Sequence, residues 1–135
     1  KKPFLCICLG MQMLFESSEE GKEKGLGWLS GNVRRFDFSD CDQPPKIPHM
    51  GWNTVDASNN NFLFDGLHDE NRFYFVHSFH VECKDVNYSV ASTQYGYDFT
   101  CSVQKENIFG VQFHPEKSHR FGMTFFKNFS SFLRC

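Results

Sequence analysis

The chain has 135 residues, 40% hydrophobic and 17% aromatic, which is material for one core and too little for two independent domains. Its 14 basic and 16 acidic residues leave a formal net charge of -2 with no strongly basic run, which argues against a nucleic-acid partner held through phosphates. No stretch approaches the roughly 20 apolar residues of a membrane span, and Lys1-Lys2-Pro3-Phe4-Leu5 is too short an apolar run for a signal peptide, so the chain reads as soluble and cytoplasmic with no membrane partner.

Pro3 to Ile7 is a short apolar segment of the kind that forms a buried parallel strand. Such a strand needs neighbours on both sides; met almost at once and without an initiator Met, it leads us to expect a missing N-terminal portion. Leu9 through Phe15 continues with good helix formers, which predicts a tight strand-to-helix turn at Cys8 and a helix ending near the polar Glu19 to Lys24 stretch closed by Gly25. Trp28 to Phe38 supplies a strand or two, and Ser39 to Pro45 is a surface loop. Ile47 to Asn53 mixes backbone-restricting residues with large ones, ahead of an Asn59-Asn60-Asn61 loop and a short apolar turn, Phe62 to Leu67. Arg72 to Glu82 reads as one strand, with Phe73, Phe75, His77, Phe79 and Val81 on one face. Tyr88 to Thr93, Phe99 to Gln104 and Ile108 to Phe113 are further strands. Ser118 is a predicted N-cap for a last helix whose Phe121, Phe125, Phe129, Phe132 and Leu133 recur at helical spacing.

A nucleophile on a sharp strand-to-helix turn needs small neighbours, because the backbone is crowded there, and Cys8-Leu9-Gly10 has that form. The helix it opens would place unpaired N–H groups near the sulfur and favour thiolate, with the Leu9 N–H as an oxyanion donor. The plain alternative is a small buried hydrophobe. About a hundred residues on, a strand end delivers His114-Pro115-Glu116, where an imidazole can relay the thiol proton and a carboxylate two residues away can orient the ring. The six cysteines, Cys6, Cys8, Cys41, Cys83, Cys101 and Cys135, are scattered, and reduced thiols are the expectation.

Taken together, Pro3 to Gln12 and Gly110 to Ser118 resemble the two signature segments of class I glutamine amidotransferases: the nucleophile elbow and the His/Glu arm. Pro48-His49-Met50-Gly51-Trp52-Asn53 and Tyr74-Phe75-Val76-His77-Ser78-Phe79 are similar to segments of the histidine-pathway member of that family, the glutaminase partner of the imidazole glycerol phosphate cyclase. The resemblance implies an α/β fold: a flavodoxin-like class I glutamine amidotransferase domain, C-terminal part only, residues 1–135 forming one partial domain with a mixed sheet and flanking helices. It implies a glutaminase that splits glutamine through a thioester on Cys8 with His114 and Glu116, without cofactor or metal, and passes ammonia to a cyclase subunit in a heterodimer. Gln12, Glu20 and Ser78 match positions that hold the substrate; His49, Trp52, Tyr74 and Lys117 match positions that face the synthase subunit.

Two departures stand out. Cys6 occupies a position where the family has Gly, and the early strands and glycine-containing oxyanion loop are absent, so these 135 residues alone are expected to be weakly folded or inactive. Competing readings are a paralogous glutaminase feeding a surface-sugar amidotransferase, a docking subunit without turnover, and a metal-binding module built from Cys6, Cys8, His77 and His80.

Overall fold

The computed structural model describes residues 1–57, 60–67 and 71–134. In chain order the elements are β1 (Phe4–Ile7), α1 (Leu9–Gln12), β2 (Ser17–Ser18), β3 (Gly31–Arg35), β4 (His49–Asn53), β5 (Phe73–His77), β6 (Phe79–Cys83), β7 (Ser89–Tyr95), β8 (Tyr97–Lys105), β9 (Ile108–Val111) and α2 (His119–Phe132), with short 3-10 turns at Phe62–Phe64, Val86–Tyr88 and Pro115–Lys117. A seven-stranded sheet runs β1-β9-β8-β6-β3-β2, with β7 on β8, and β4-β5 form a second, two-stranded sheet. The β1/β9 and β2/β3 pairs are parallel and the rest antiparallel, so the mixed α/β sheet with flanking helices is as expected.

Alternation along the strands divides the core between two faces. Phe109, Val111 and Phe113 turn toward α2, where Phe113 meets Phe73 at 4.1 Å and Phe125 at 5.6 Å between ring centroids. Met11, Leu14, Phe15, Leu29 and Val103 fill the other face under α1. Each fully buried Phe contributes about 2–3 kcal/mol of apolar burial, and six of the largest wholly buried side chains are Phe. Gly110 lies where β9 passes under α1, and a Cβ there would meet Met11 Cγ at 2.6 Å. Among the described residues no helix is long and apolar enough to cross a membrane.

The structure departs from the sequence-based expectation at five places. First, α1 has four residues rather than running toward Glu19. Residues 25–29 fold back along residues 13–16 and take their carbonyls: Leu26 N–H donates to Met13 O, Leu29 to Leu14 O, Gly27 to Phe15 O and Gly25 to Glu16 O. Carbonyls used this way cannot continue a helix, and a Cβ on Gly25 would sit 1.9 Å from Phe15 O. Second, Arg72 to Glu82 is two strands, not one. The chain breaks at Ser78, β5 pairs with β4 while β6 pairs with β3, and the inward parity shifts, so that His80 joins Val81 inside. Third, β1 has β9 on one side and no other partner strand among the described residues, and it is half-buried rather than enclosed. Fourth, Ser118 precedes α2 as predicted but its hydroxyl makes no cap bond, and Leu133 lies past the helix end, 59% exposed. Fifth, Ile47 to Asn53, given no regular structure from sequence, contains strand β4. Asn59 and Cys135 fall outside the described residues; Asn61 accepts from Leu63 N–H to start its 3-10 turn.

Candidate active site

Cys8 joins β1 to α1 at φ 55° and ψ -110°, a left-handed conformation that non-glycine residues rarely hold. Its N–H donates to Val111 O at 2.8 Å, which continues the β1/β9 ladder by one step, and its carbonyl accepts from Met11 and Gln12 to begin the helical turn. The Leu9 N–H opens α1 with no preceding turn of helix to accept it, as an oxyanion donor requires.

Cys8, Leu9, Gln12, Glu20 and Ser78 line one cleft of about 210 Å³ together with Val76, His77 and Phe79. Five residues chosen from sequence for nucleophile, oxyanion and substrate roles therefore share one hollow, although they come from the elbow, the loop after β2 and the β5/β6 break. Gln12 is 8% exposed, and its Nε2 donates to Phe79 O at 3.1 Å and Gln112 Oε1 at 2.9 Å, so much of its polar capacity is already engaged.

His114 follows β9 and turns alongside β5, its N–H donating to Tyr74 O at 2.9 Å. Its Nδ1 lies 3.0 Å from Glu116 Oε2. A carboxylate accepts, so Nδ1 bears the proton; in the neutral ring this leaves Nε2 with the lone pair a general base needs. With Glu116 half-exposed, this pair adds at most about 1 kcal/mol of stability, and its consequence is orientation of the ring.

The Cys8 thiol donates weakly toward Val76 O at 3.9 Å and receives the Gln112 amide at 3.6 Å; among the described residues it makes no hydrogen bond to the His114 ring. Burial raises its pKa, opposed by the Leu9 N–H and the Gln112 amide, while the carboxylates of Glu116 and Glu20 add to the rise. In this balance burial outweighs the two donors, so the direction runs against the ready thiolate expected from the elbow alone.

The four residues matched to a partner-facing role separate. Trp52 is 45% exposed on β4, stacks on His119 at 5.3 Å and meets Tyr74 edge-on at 6.0 Å, and Lys117 Nζ lies 6.0 Å over Tyr74. His49, in contrast, is 3% exposed, between the rings of Phe75 and Tyr95, so it supports this surface from beneath rather than facing outward. Its Nδ1 reaches His77 Nε2 at 2.9 Å, and burial pushes these imidazoles down to about 4 for His49 and about 3 for His77. His77 and His80, considered from sequence as metal ligands, spend ring nitrogens on Phe79 O and the Tyr97 hydroxyl. Sequence reasoning gave no site role to Gln112, Ser118 or His119. A polar residue just before the His114 strand end was the available signal for Gln112; the other two follow from tertiary contacts alone.

The sequence is 49% identical over 131 residues to imidazole glycerol phosphate synthase subunit HisH of Leptospira borgpetersenii, covering 97% of this chain and 64% of that protein. It is 54% identical over 130 residues to the HisH subunit of Bdellovibrio bacteriovorus, covering 96% of this chain and again 64% of the relative. The chain thus spans just under two thirds of the length of these curated relatives. Among solved structures, a glutamine amidotransferase from Thermotoga maritima superposes with a TM-score of 0.57 at 25% identity over 98% of this chain and 48% of its own. A candidate GMP synthase component from Thermoplasma acidophilum gives 0.64 at 22% identity over 98% of this chain and 59% of its own, a likeness of fold. The family described as Glutamine amidotransferase class-I matches residues 1–131, from before the elbow to the last turn of α2. Only the last residue of α2 lies outside that match among the elements of the described fold, and the chain belongs to the class-I glutamine amidotransferase family.

Proposed function

We propose that this chain carries the glutaminase chemistry of an imidazole glycerol phosphate synthase subunit in histidine biosynthesis. His114 Nε2 takes the Cys8 proton as the sulfur attacks the side-chain amide carbon of glutamine, and the tetrahedral oxyanion is held by the Leu9 N–H. Collapse returns the proton to the leaving ammonia and leaves a glutamyl thioester. Water, deprotonated by His114, then releases glutamate and restores the thiol. Gln12, Glu20 and Ser78 hold the substrate's polar ends, and the ammonia passes to a cyclase subunit seated on Trp52, Tyr74 and Lys117. The HisH names of relatives 49% and 54% identical support this choice of acceptor over a surface-sugar synthase. One observation carries the chemistry: a cysteine at φ 55° heads the helix at a cleft it shares with Gln12, Glu20 and Ser78.

The test is glutamate release by the full-length protein with its cyclase partner. Cys8→Ala is expected to lower kcat by at least about 10³-fold, and a glutamine-analogue electrophile to label Cys8 alone. Turnover that survives Cys8→Ala overturns the assignment. A second reading, docking without turnover, draws on the missing Cys8–His114 hydrogen bond; it requires cyclase binding with no labelling at Cys8.

A further inference from the structure

Gln112 is wholly buried at the end of β9, and its amide lies between the nucleophile and Gln12. The orientation of that amide is fixed by chemistry rather than by choice of fit. Gln12 Nε2 donates to the backbone carbonyl of Phe79, which can only accept, so the NH₂ end of Gln12 is determined. The same NH₂ lies 2.9 Å from Gln112, which must therefore present Oε1 to it and turn Nε2 toward Cys8 Sγ. Reversing the Gln12 amide would set acceptor against acceptor at both Phe79 O and Gln112 Oε1, and reversing the Gln112 amide would set donor against donor at Gln12 Nε2, in a site too buried for water to relieve either clash.

The chain of assigned protons continues. Phe79 O also accepts from His77 Nδ1 at 2.7 Å, so His77 Nε2 must accept from His49 Nδ1–H. His49 Nε2 then accepts from Asn53 Nδ2, which is anchored in turn by Gln94 O at 2.8 Å. Backbone carbonyls at both ends demand the same arrangement. The carboxylates acting on the sulfur, Glu20 and Glu116, both oppose its ionisation; among the described residues the Leu9 N–H and the Gln112 amide favour it.

Resting on the reading of Cys8 as nucleophile, we propose that Gln112 is a further catalytic residue, an amide donor that holds the developing charge on Cys8 Sγ, and that Gln12 is the positioning residue that keeps this amide facing the sulfur. Gln12 would thus serve the nucleophile as well as the substrate. The relay ties the donor to β4, the strand bearing Trp52.

The test is the pH dependence of Cys8 alkylation by iodoacetamide in the full-length protein, resolved from Cys6 by fragment-ion mass spectrometry. Gln112→Met keeps the side-chain length and removes the donor; alkylation at pH 7 is expected to slow about tenfold, with the midpoint moved to higher pH. Gln12→Met is expected to move it the same way by about threefold, through loss of orientation. A folded Gln112→Met with an unchanged midpoint overturns the proposal, since a packing role lowers the urea midpoint and leaves the alkylation profile alone. Should the variants not fold, the wild-type protein decides: the side-chain amide resonance of Gln112 must shift with the midpoint of Cys8 alkylation, and a resonance indifferent to it is equally fatal. Because alkylation reads the thiol and not turnover, a shifted midpoint in a protein that releases no glutamate supports this proposal while removing the glutaminase reading.

Discussion

The N–H of His114 donates to the carbonyl of Tyr74, and the return path runs through Ser118, whose Oγ accepts from Tyr74 N–H at 3.0 Å and donates to His114 O at 2.6 Å. This small ring of bonds joins the end of β9 to β5, and so ties the two sheets where the candidate base sits. Ser118→Ala leaves a half-buried Tyr74 N–H without its partner and the His114 carbonyl with the Lys117 N–H alone. The expected loss is about 1–3 kcal/mol in urea denaturation, with kcat for glutamate release down about tenfold. Wild-type values in both measurements would show the ring to be incidental.

Glu116→Gln tests orientation separately from stability. An amide can turn its NH₂ toward Nδ1 and stabilise the wrong tautomer, so kcat is expected to fall at least about 10²-fold. The urea midpoint should hardly move, because the carboxylate is half-exposed. Activity within threefold of wild type would remove Glu116 from the machinery.

Gly122 is buried in the first turn of α2, and a Cβ there would sit 1.8 Å from Pro115 O, between His114 and Glu116. Backbone cannot give way as a flexible side chain does. Gly122→Ala is expected to destabilise by on the order of 2 kcal/mol and to reduce glutamate release by displacing the 3-10 turn. A variant with an unaltered denaturation curve and unaltered turnover would contradict this packing.

The buried imidazoles predict a stability change with pH. His49 and His77 are held down to about 4 and about 3, so the unfolded chain binds more protons than the folded one below the ordinary histidine range. Their contribution is intact above about pH 6.5 and is lost as pH falls from there toward 3. Between pH 7 and pH 5 the expected loss is on the order of 2 kcal/mol for each ring, read as a lower urea midpoint. Equal midpoints at the two values would mean that the rings are hydrated or already charged.

Local patterning explains how much was readable in advance. Phe73, Phe75 and His77 alternate, and Phe121, Phe125, Phe129 and Phe132 recur at helical spacing, because burial on one face acts directly on residue choice. The elbow cysteine and the His114-x-Glu116 arm were picked out together, by the resemblance of their two segments to the family's signatures, since either alone also fits a buried thiol or a structural histidine. The break at Ser78 was not, since Phe79 through Val81 remain strand formers whichever sheet they join, and the partner strand β3 decides. Nor was the length of α1: Met13, Leu14 and Phe15 are adequate helix formers whose carbonyls are claimed by residues 25–29. The buried position of His49 depends on Tyr95, far away in sequence.

The parallel ladder that pairs Phe4 with Ile108 and Ile7 with Val111 has a consequence during synthesis. The segment bearing Cys8 is translated well before the strand on which its elbow hangs. Alkylation of arrested nascent chains is expected to report a native Cys8 environment only once residue 111 has emerged. The bend that carries Cys8 therefore waits for β9, and a nascent chain halted before residue 111 leaves that sulfur without its native setting.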